Sequence, residues 1–482
     1  MNHFQHVYQQ VYKEGELFQI TRKSKTPFTK KSRRSNSVAV IGGALGDEGK
    51  GRVTDELTAY FLKKYPQVIH YRDNGGANAG HTVEIGEIRI ALHQLGSGIM
   101  QPGCVVVLGK EMVLHPTDLI AEIKAVLKAT KTKQLPATLK IEELTALSLD
   151  THRAFEAVLK MRSTGSQGAT GRGIAPAYAD IIYRHPLKMR DLIASNWSKK
   201  FKAHYQLYQA WIKGMGFDLS QLEVPRLAGP NVLVGNETQF LKNIAKTRAT
   251  LKPFVQDTSA LMNKYWQQTT PMVFEKAQAL GLDKRWGVYP DVTASNCSFD
   301  GIWSATEGNI DPNQLAVKAA VIKATYTSSV GARRLPTLMT NQLAHRIRKD
   351  ANEYGATTKR PRDIAYIDLP MLSYLMKVGR VEHLALTHLD ISYLDAPIKV
   401  CVAYEIDGQK VDYRPDQEFL DQVKPIYLEL PSWDGAQAAQ AKTIKDLPSD
   451  ALKYIAFLTK SLQIKPFMLT MGPKRSQSLL YW

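Results

Sequence analysis

At 482 residues, 44% hydrophobic and 22% charged, the chain has the composition of a globular protein and exceeds the length that one core usually fills, so one large domain with subdomains or an insertion is expected. Cys104, Cys297 and Cys401 lie far apart without ligand spacing, which excludes a disulfide framework and a cysteine zinc site and suits a reducing cytoplasm. The formal charge of +18 fits nucleic acid or polyanionic small substrates. No nucleic-acid motif accompanies it, and no run suits a membrane span or signal peptide.

Residues 1–36 mix aromatic, Gln, Ser and Thr residues with eight Lys and Arg between Lys13 and Arg34, and read as a basic extension outside the core. A single domain is then expected over 37–482. Its organising stretch is Val38-Ala39-Val40-Ile41 running into five glycines within Gly42 to Gly51, a buried strand followed by a turn whose amides can converge on an anion. A helix near Asp55 to Lys64 adds its positive dipole end, and Lys50 adds a mobile charge. Asp47 and Glu48 sit inside that turn, where a carboxylate opposes phosphate unless it holds a metal or takes a proton.

A second small-residue loop runs from Asp73 to His81 and Thr82, and a second buried strand from Val105 to Gly109. Leu119, Ile120, Ile123, Val126 and Leu127 give Thr117 to Ala129 a helical period. Ser163 to Gly173 is a third, polar glycine-rich loop. From about 196 to 270 the pattern becomes helical with many aromatics, which reads as an insertion whose stripe is core. Met272 to Glu275 resumes the strand pattern and leads to Gln278, and Tyr289 to Thr293 is a polar loop. Strands follow at Leu384 to Leu386 and Phe467 to Leu469, and Asp407-Gly408 reads as a hairpin turn between Cys401–Ile406 and Gln409–Tyr413. This alternation predicts an α/β fold: a P-loop-like, mainly parallel central sheet flanked by helices, with a helical insertion and a small antiparallel hairpin region.

Five ordered blocks, Gly46-Asp47-Glu48-Gly49-Lys50-Gly51, Asn78-Ala79-Gly80-His81-Thr82, Thr170-Gly171-Arg172-Gly173-Ile174, Gly355-Ala356-Thr357-Thr358 and Leu386-Thr387-His388-Leu389-Asp390, resemble the adenylosuccinate synthetase family. The resemblance implies a GTP-driven ligase of purine biosynthesis that joins L-aspartate to C6 of IMP through a 6-phosphoryl intermediate. It implies that Asp47 is the base for the N1 proton and an Mg²⁺ ligand together with the Gly80 carbonyl, and that His81 is the acid. Lys50 and the amides of Gly46, Gly49 and Gly51 would grip the transferring phosphate, with Glu48 and Thr82 grouped among the nucleotide contacts. For the monophosphate it implies Asn78, Thr170 and Thr293 at the phosphate, Gln278 at the base, and Val330 and Arg360 at the ribose. Arg184 would reach the same phosphate across a homodimer interface. The aspartate loop would be Thr357, Thr358, Arg360 and Arg362, assisted by Arg172. Asp390, beside His388, would read the guanine base under a loop containing Gly472 and Pro473.

Several positions depart from the family pattern. Ala77 replaces a common histidine, Ala169 a threonine, Lys359 a glycine, His388 a lysine and Lys474 an acid. Two other functions therefore stay open. One is a synthetase acting on dIMP, GMP or dGMP, or using ATP; relatives that use guanylates carry a smaller residue at the Asp47 position, so Asp47 argues against them. The other is a non-catalytic nucleotide-binding protein with a regulatory or nucleic-acid role.

Overall fold

Val38, Ala39, Val40 and Ile41 are fully buried in the Ser37–Gly42 strand, because that strand lies inside a ten-stranded sheet covered on both faces. The computed structural model describes residues 2–15, 36–85, 88–162, 170–227, 229–329, 333–355, 361–472 and 474–480. Across the sheet the strands are Val255–Gln256, Thr138–Glu142, Cys104–Leu108, Val68–Arg72, Met272–Glu275, Ser37–Gly42, Val317–Lys323, His383–Thr387, Lys465–Thr470 and Ser478–Leu480. Neighbours are parallel except for the final pair.

Alternation along each strand sorts its side chains between two cores. Val38 and Val40 meet Val53, Leu57 and Phe61 of the Lys50–Leu62 helix. Ala39 and Ile41 face the other way, into a cluster holding Leu372 and Leu375 of the Leu369–Val378 helix and Ile455 and Leu458 of the Ser449–Leu462 helix. After Ser37–Gly42 the chain builds the sheet outward on one side through 68–72, 104–108 and 138–142. It later builds the other side through 317–323, 383–387 and 465–470. The order therefore reverses at Ser37–Gly42, and its carboxyl end opens where ligands bind in such sheets.

In the predicted insertion, helices Trp197–Gly214, Glu237–Leu251 and Ser259–Gln267 bury Phe201, Tyr205, Tyr208, Phe240 and Trp266. The aromatic stripe is core. Asp407 and Gly408 both take left-handed backbone (φ 51° and 78°) and turn Ile398–Ile406 into Gln409–Val411.

Two expectations are corrected. The first helix begins at Lys50 rather than near Asp55, because Gly49, at φ 93°, turns the chain directly into it. The opening residues are also not an appendage: the His3–Tyr8 helix and its continuation to Lys13 put Val7 and Val11 into the main core. Asn2 donates to the Val402 carbonyl at 2.7 Å, and Tyr12 packs edge-on against Phe457. Phe4, Val7, Tyr8, Val11 and Tyr12 follow the i, i+3, i+4, i+7, i+8 spacing of a buried helix face, which the tail's charge concealed. Residues 16–35, with most of the basic cluster, lie outside the described residues. Among the described residues no helix is long and apolar enough to cross a membrane.

Candidate active site

The glycine turn closes around one of its own acids. Glu48, 2% exposed, accepts the Gly46 and Ala44 amides at 2.7 and 3.2 Å and the Lys50 ammonium at 2.8 Å. A Cβ on Gly42 would lie 2.6 Å from Glu48 Oε2 and from the Gln278 carbonyl, so only glycine allows this closure. The Glu48 carboxylate is thus spent bracing the loop, and it holds Lys50 at the helix start. Thr387 donates to the Glu48 carbonyl at 2.8 Å and sits 3.3 Å from where a Gly49 Cβ would fall, which ties the turn to the strand before His388.

Asp47 lies in the left-handed region at φ 56° and has a partner of its own. Its side chain keeps 29% exposure and pairs with Arg362 Nη2 at 2.5 Å. Arg362 Nη1 donates to Glu353 at 2.7 Å. Glu353 in turn takes the Tyr326 hydroxyl at 2.6 Å and the buried Lys323 ammonium. Burial opposes the Glu353 charge, but Lys323 and then Arg362 outweigh it and hold the carboxyl at about 2. The catalytic-base candidate and an arginine of the expected aspartate loop are therefore direct partners.

His81 packs against the same helix start. A Cβ on Gly51 would lie 2.7 Å from His81 Cβ and 2.9 Å from Cδ2. Behind the ring stands Glu275, which sequence reasoning left as the end of a strand. Its Oε2 receives His70 Nε2 and Ser97 Oγ at 2.6 Å, the Ser97 amide at 2.9 Å and Thr54 Oγ1 at 3.2 Å. Its Oε1 faces His81 Nε2 at 3.3 Å. Burial pushes Glu275 up, but His81 first and the His70 hydrogen bond next hold it well below the usual range. The available signal was an acid ending an apolar central strand, a position that needs dedicated partners.

Burial lowers His81 to about 3, with Glu275 opposing the shift, and burial with Lys323 lowers His388 to about 3. Folding therefore excludes protons that the unfolded chain accepts below 6.5, so stability is full above pH 6.5 and falls as the pH drops toward 3. Thermal melts across that window should show the decline, and His388→Gln should flatten part of it; an unchanged slope would count against these depressed histidines.

The remaining site residues divide. Asn78 Nδ2 lies 3.4 Å from Thr293 Oγ1, so the two expected phosphate contacts meet. Gln278, at φ 56°, accepts from Ser295 at 3.1 Å. Its Nε2 is buried with no partner among the described residues, and Gly75 has no room for a Cβ beside it. Asp390 Oδ1 is likewise a buried acceptor with no partner among the described residues, and burial raises its carboxyl against the pull of Arg52. Thr82 pairs with Ala91 in the hairpin that follows His81. Gly472, at φ 128°, packs on Gln477, and Arg475 fixes the same C-terminal turn to Asp55 through two 2.6 Å bonds. Arg172 is buried 3.9 Å from Asp118, beside Arg153. Thr170 is exposed. Arg184, at φ 68°, caps the Ile174–Tyr183 helix beside exposed Ile182 and Tyr183. Val330, Thr357, Thr358, Arg360 and Pro473 lie outside the described residues, as do Ala169 and Lys359.

The expected magnesium donors, the Asp47 carboxylate and the Gly80 carbonyl, are both hard oxygens. Such a pair suits an ion that completes its shell with water and phosphate. Asp47's partial exposure keeps its carboxylate accessible, so the residues fit. A buried His152–Asp180–His204 group is instead a hydrogen-bond network. Leu149 N–H donates to His152 Nδ1, so the ring's proton is on Nε2 and goes to Asp180 at 2.9 Å. Tyr208 donates to the other Asp180 oxygen at 2.8 Å.

The family model described as adenylosuccinate synthetase matches residues 39–479. The chain belongs to the adenylosuccinate synthetase family. The adenylosuccinate synthetase of Myxococcus xanthus is 34% identical over 451 residues, covering 92% of this chain and 98% of that one. The Clostridium botulinum (strain Eklund 17B) enzyme is 32% identical over 446 residues, covering 91% and 98%. The fully ligated Plasmodium falciparum adenylosuccinate synthetase superposes with a TM-score of 0.79 at 27% identity, over 92% of this chain and 99% of that one. Cyanophage S-2L succinoaminodeoxyadenylate synthetase, bound to dGMP and dATP, aligns with a TM-score of 0.55 at 16% identity, over 92% and 95%; that likeness shows the fold alone. The family reaction joins aspartate to IMP to give adenylosuccinate, a GTP-dependent C–N ligation of purine biosynthesis, and the family uses Mg²⁺.

Proposed function

We propose that this adenylosuccinate synthetase family member works with Asp47 as base, His81 and Gln278 at the purine, Lys50 at the transferring phosphate and Arg362 at the aspartate. What supports the reading is that these groups form one connected set at the carboxyl end of the central strand. Gly42 touches Gln278 and Glu48, Glu48 holds Lys50, Gly51 touches His81, and Asp47 holds Arg362.

The oxygen at C6 of a purine leaves poorly. Asp47 takes the N1 proton, the 6-oxygen attacks the γ-phosphorus of GTP, and GDP departs. The aspartate amine then attacks C6, phosphate leaves with the former 6-oxygen, and the amine's surplus protons pass to solvent. Lys50 and the loop amides offset charge on the transferring group, and His81 faces the 6-oxygen. Asp47 and Gly80 would hold Mg²⁺, which when bound neutralises phosphate charge. The unpartnered Gln278 amide donor suits the purine, and the unpartnered Asp390 oxygen suits guanine N1–H and its 2-amino group. Arg184, among exposed apolar side chains, is the residue assigned to the partner's phosphate site in a homodimer. Three buried cysteines without a disulfide accord with a cytoplasmic enzyme.

The test is a substrate panel of IMP, dIMP, GMP and dGMP, each with aspartate, Mg²⁺ and GTP or ATP. Adenylosuccinate from IMP with GTP is expected. Product from a guanylate alone would reject the substrate assignment, and no product from any pair would reject the enzyme.

A further inference from the structure

The side-on edge of an arginine, Nε with Nη2, is the fork that grips a carboxylate with two parallel hydrogen bonds. In Arg362 the end-on Nη1 is held by Glu353 at 2.7 Å, and Nη2 is on Asp47 at 2.5 Å. Nε is buried with no partner among the described residues. Among the described residues one tine of the fork therefore has no partner, and the other rests on the proposed base. A substrate carboxylate that takes both tines must displace Asp47.

We infer that Glu353 is the positioning residue that anchors this fork, and that aspartate binding and release of the Asp47 base are two faces of one exchange on Arg362. The inference rests on the reading of Asp47 as base. Glu353 is suited to the task because Lys323 and Tyr326 fix its Oε1, while Oε2 holds Arg362 Nη1. When a carboxylate arrives, Arg362 changes partner at Nη2 without leaving its anchor. The purine then becomes a better phosphoryl acceptor once the second substrate is in place, which limits wasteful hydrolysis of an activated intermediate.

The coupling is read without the amination step. With GTP labelled by ¹⁸O in the β–γ bridge, reversible transfer of the γ-phosphoryl to IMP lets the β-phosphate rotate and scrambles the label. Succinate offers aspartate's two carboxylates but no amine, so it can occupy the fork without consuming the intermediate. Saturating succinate should speed scrambling about fivefold or more, within the usual range of site-to-site coupling. Glu353→Gln turns its oxygen to Lys323 and Tyr326 and its NH₂ to Arg362, which loosens the anchor. KM for aspartate should then rise about tenfold while KM for IMP stays level; a purely structural role would move both together. Scrambling that ignores succinate in an enzyme that still makes adenylosuccinate would overturn the inference alone. Neither scrambling nor product under any condition would overturn both it and the assigned reaction.

Discussion

Asp47→Asn is expected to slow adenylosuccinate formation by about 10²–10⁴-fold, the usual contribution of a positioned general base, with the loss in kcat rather than in IMP affinity. The amide keeps the shape of the carboxylate but cannot take the N1 proton, and it leaves Arg362 with Glu353 as its remaining acidic partner. Calorimetric IMP binding should survive, because Asn78, Thr293 and Gln278 lie on other loops. Bridge-to-nonbridge scrambling in GTP should fall in parallel with turnover, since the defect precedes amination. Normal turnover in this variant would remove Asp47 from the chemistry.

Gly51→Ala is expected to separate catalysis from stability. Alanine is the better helix former by up to about 1 kcal/mol, and position 51 lies in the first turn of the Lys50–Leu62 helix. Its Cβ would nevertheless fall 2.7 Å from His81 Cβ, so the ring must shift away from Glu275 and the turn must open. A displacement near 1 Å at a reacting group costs about 10²-fold. We expect that loss in kcat with the melting temperature within a few degrees of wild type. An unchanged kcat would show that the ring relaxes freely and that its packing does not matter. A collapse in stability would mean that the contact serves the fold.

Five strands of the central sheet, at 38–41, 105–109, 272–275, 384–386 and 467–469, were legible because they are buried on both faces and read as apolar runs, with glycines marking the turns at ligand loops; those at 68–72, 138–142 and 317–323, interrupted by His70, Lys140 and Lys318, were not. The hairpin was legible for the same local reason: Asp407-Gly408 suits a turn in which both residues are left-handed. What local pattern did not reveal was pairing at a distance. Glu275 meets His70 across neighbouring parallel strands and meets His81 from a separate antiparallel hairpin, and Glu353 meets Arg362 and Lys323 across a loop and a strand. The Glu48 brace was hidden differently, since an acid inside an anion cradle reads as a ligand until its own backbone amides are seen to claim it. The docked N-terminus was missed because the charge beyond it outweighed the apolar spacing of Val7 and Val11.

The most direct measurement is a structure of the enzyme with IMP, Mg²⁺, a nonhydrolysable GTP analogue and succinate. An Asp47 oxygen is expected within about 3 Å of purine N1, hydrogen-bonding distance for a base, with the Nε and Nη2 edge of Arg362 on a succinate carboxylate. Asp47 still paired to Arg362 in that complex, with N1 out of its reach, would contradict this expectation.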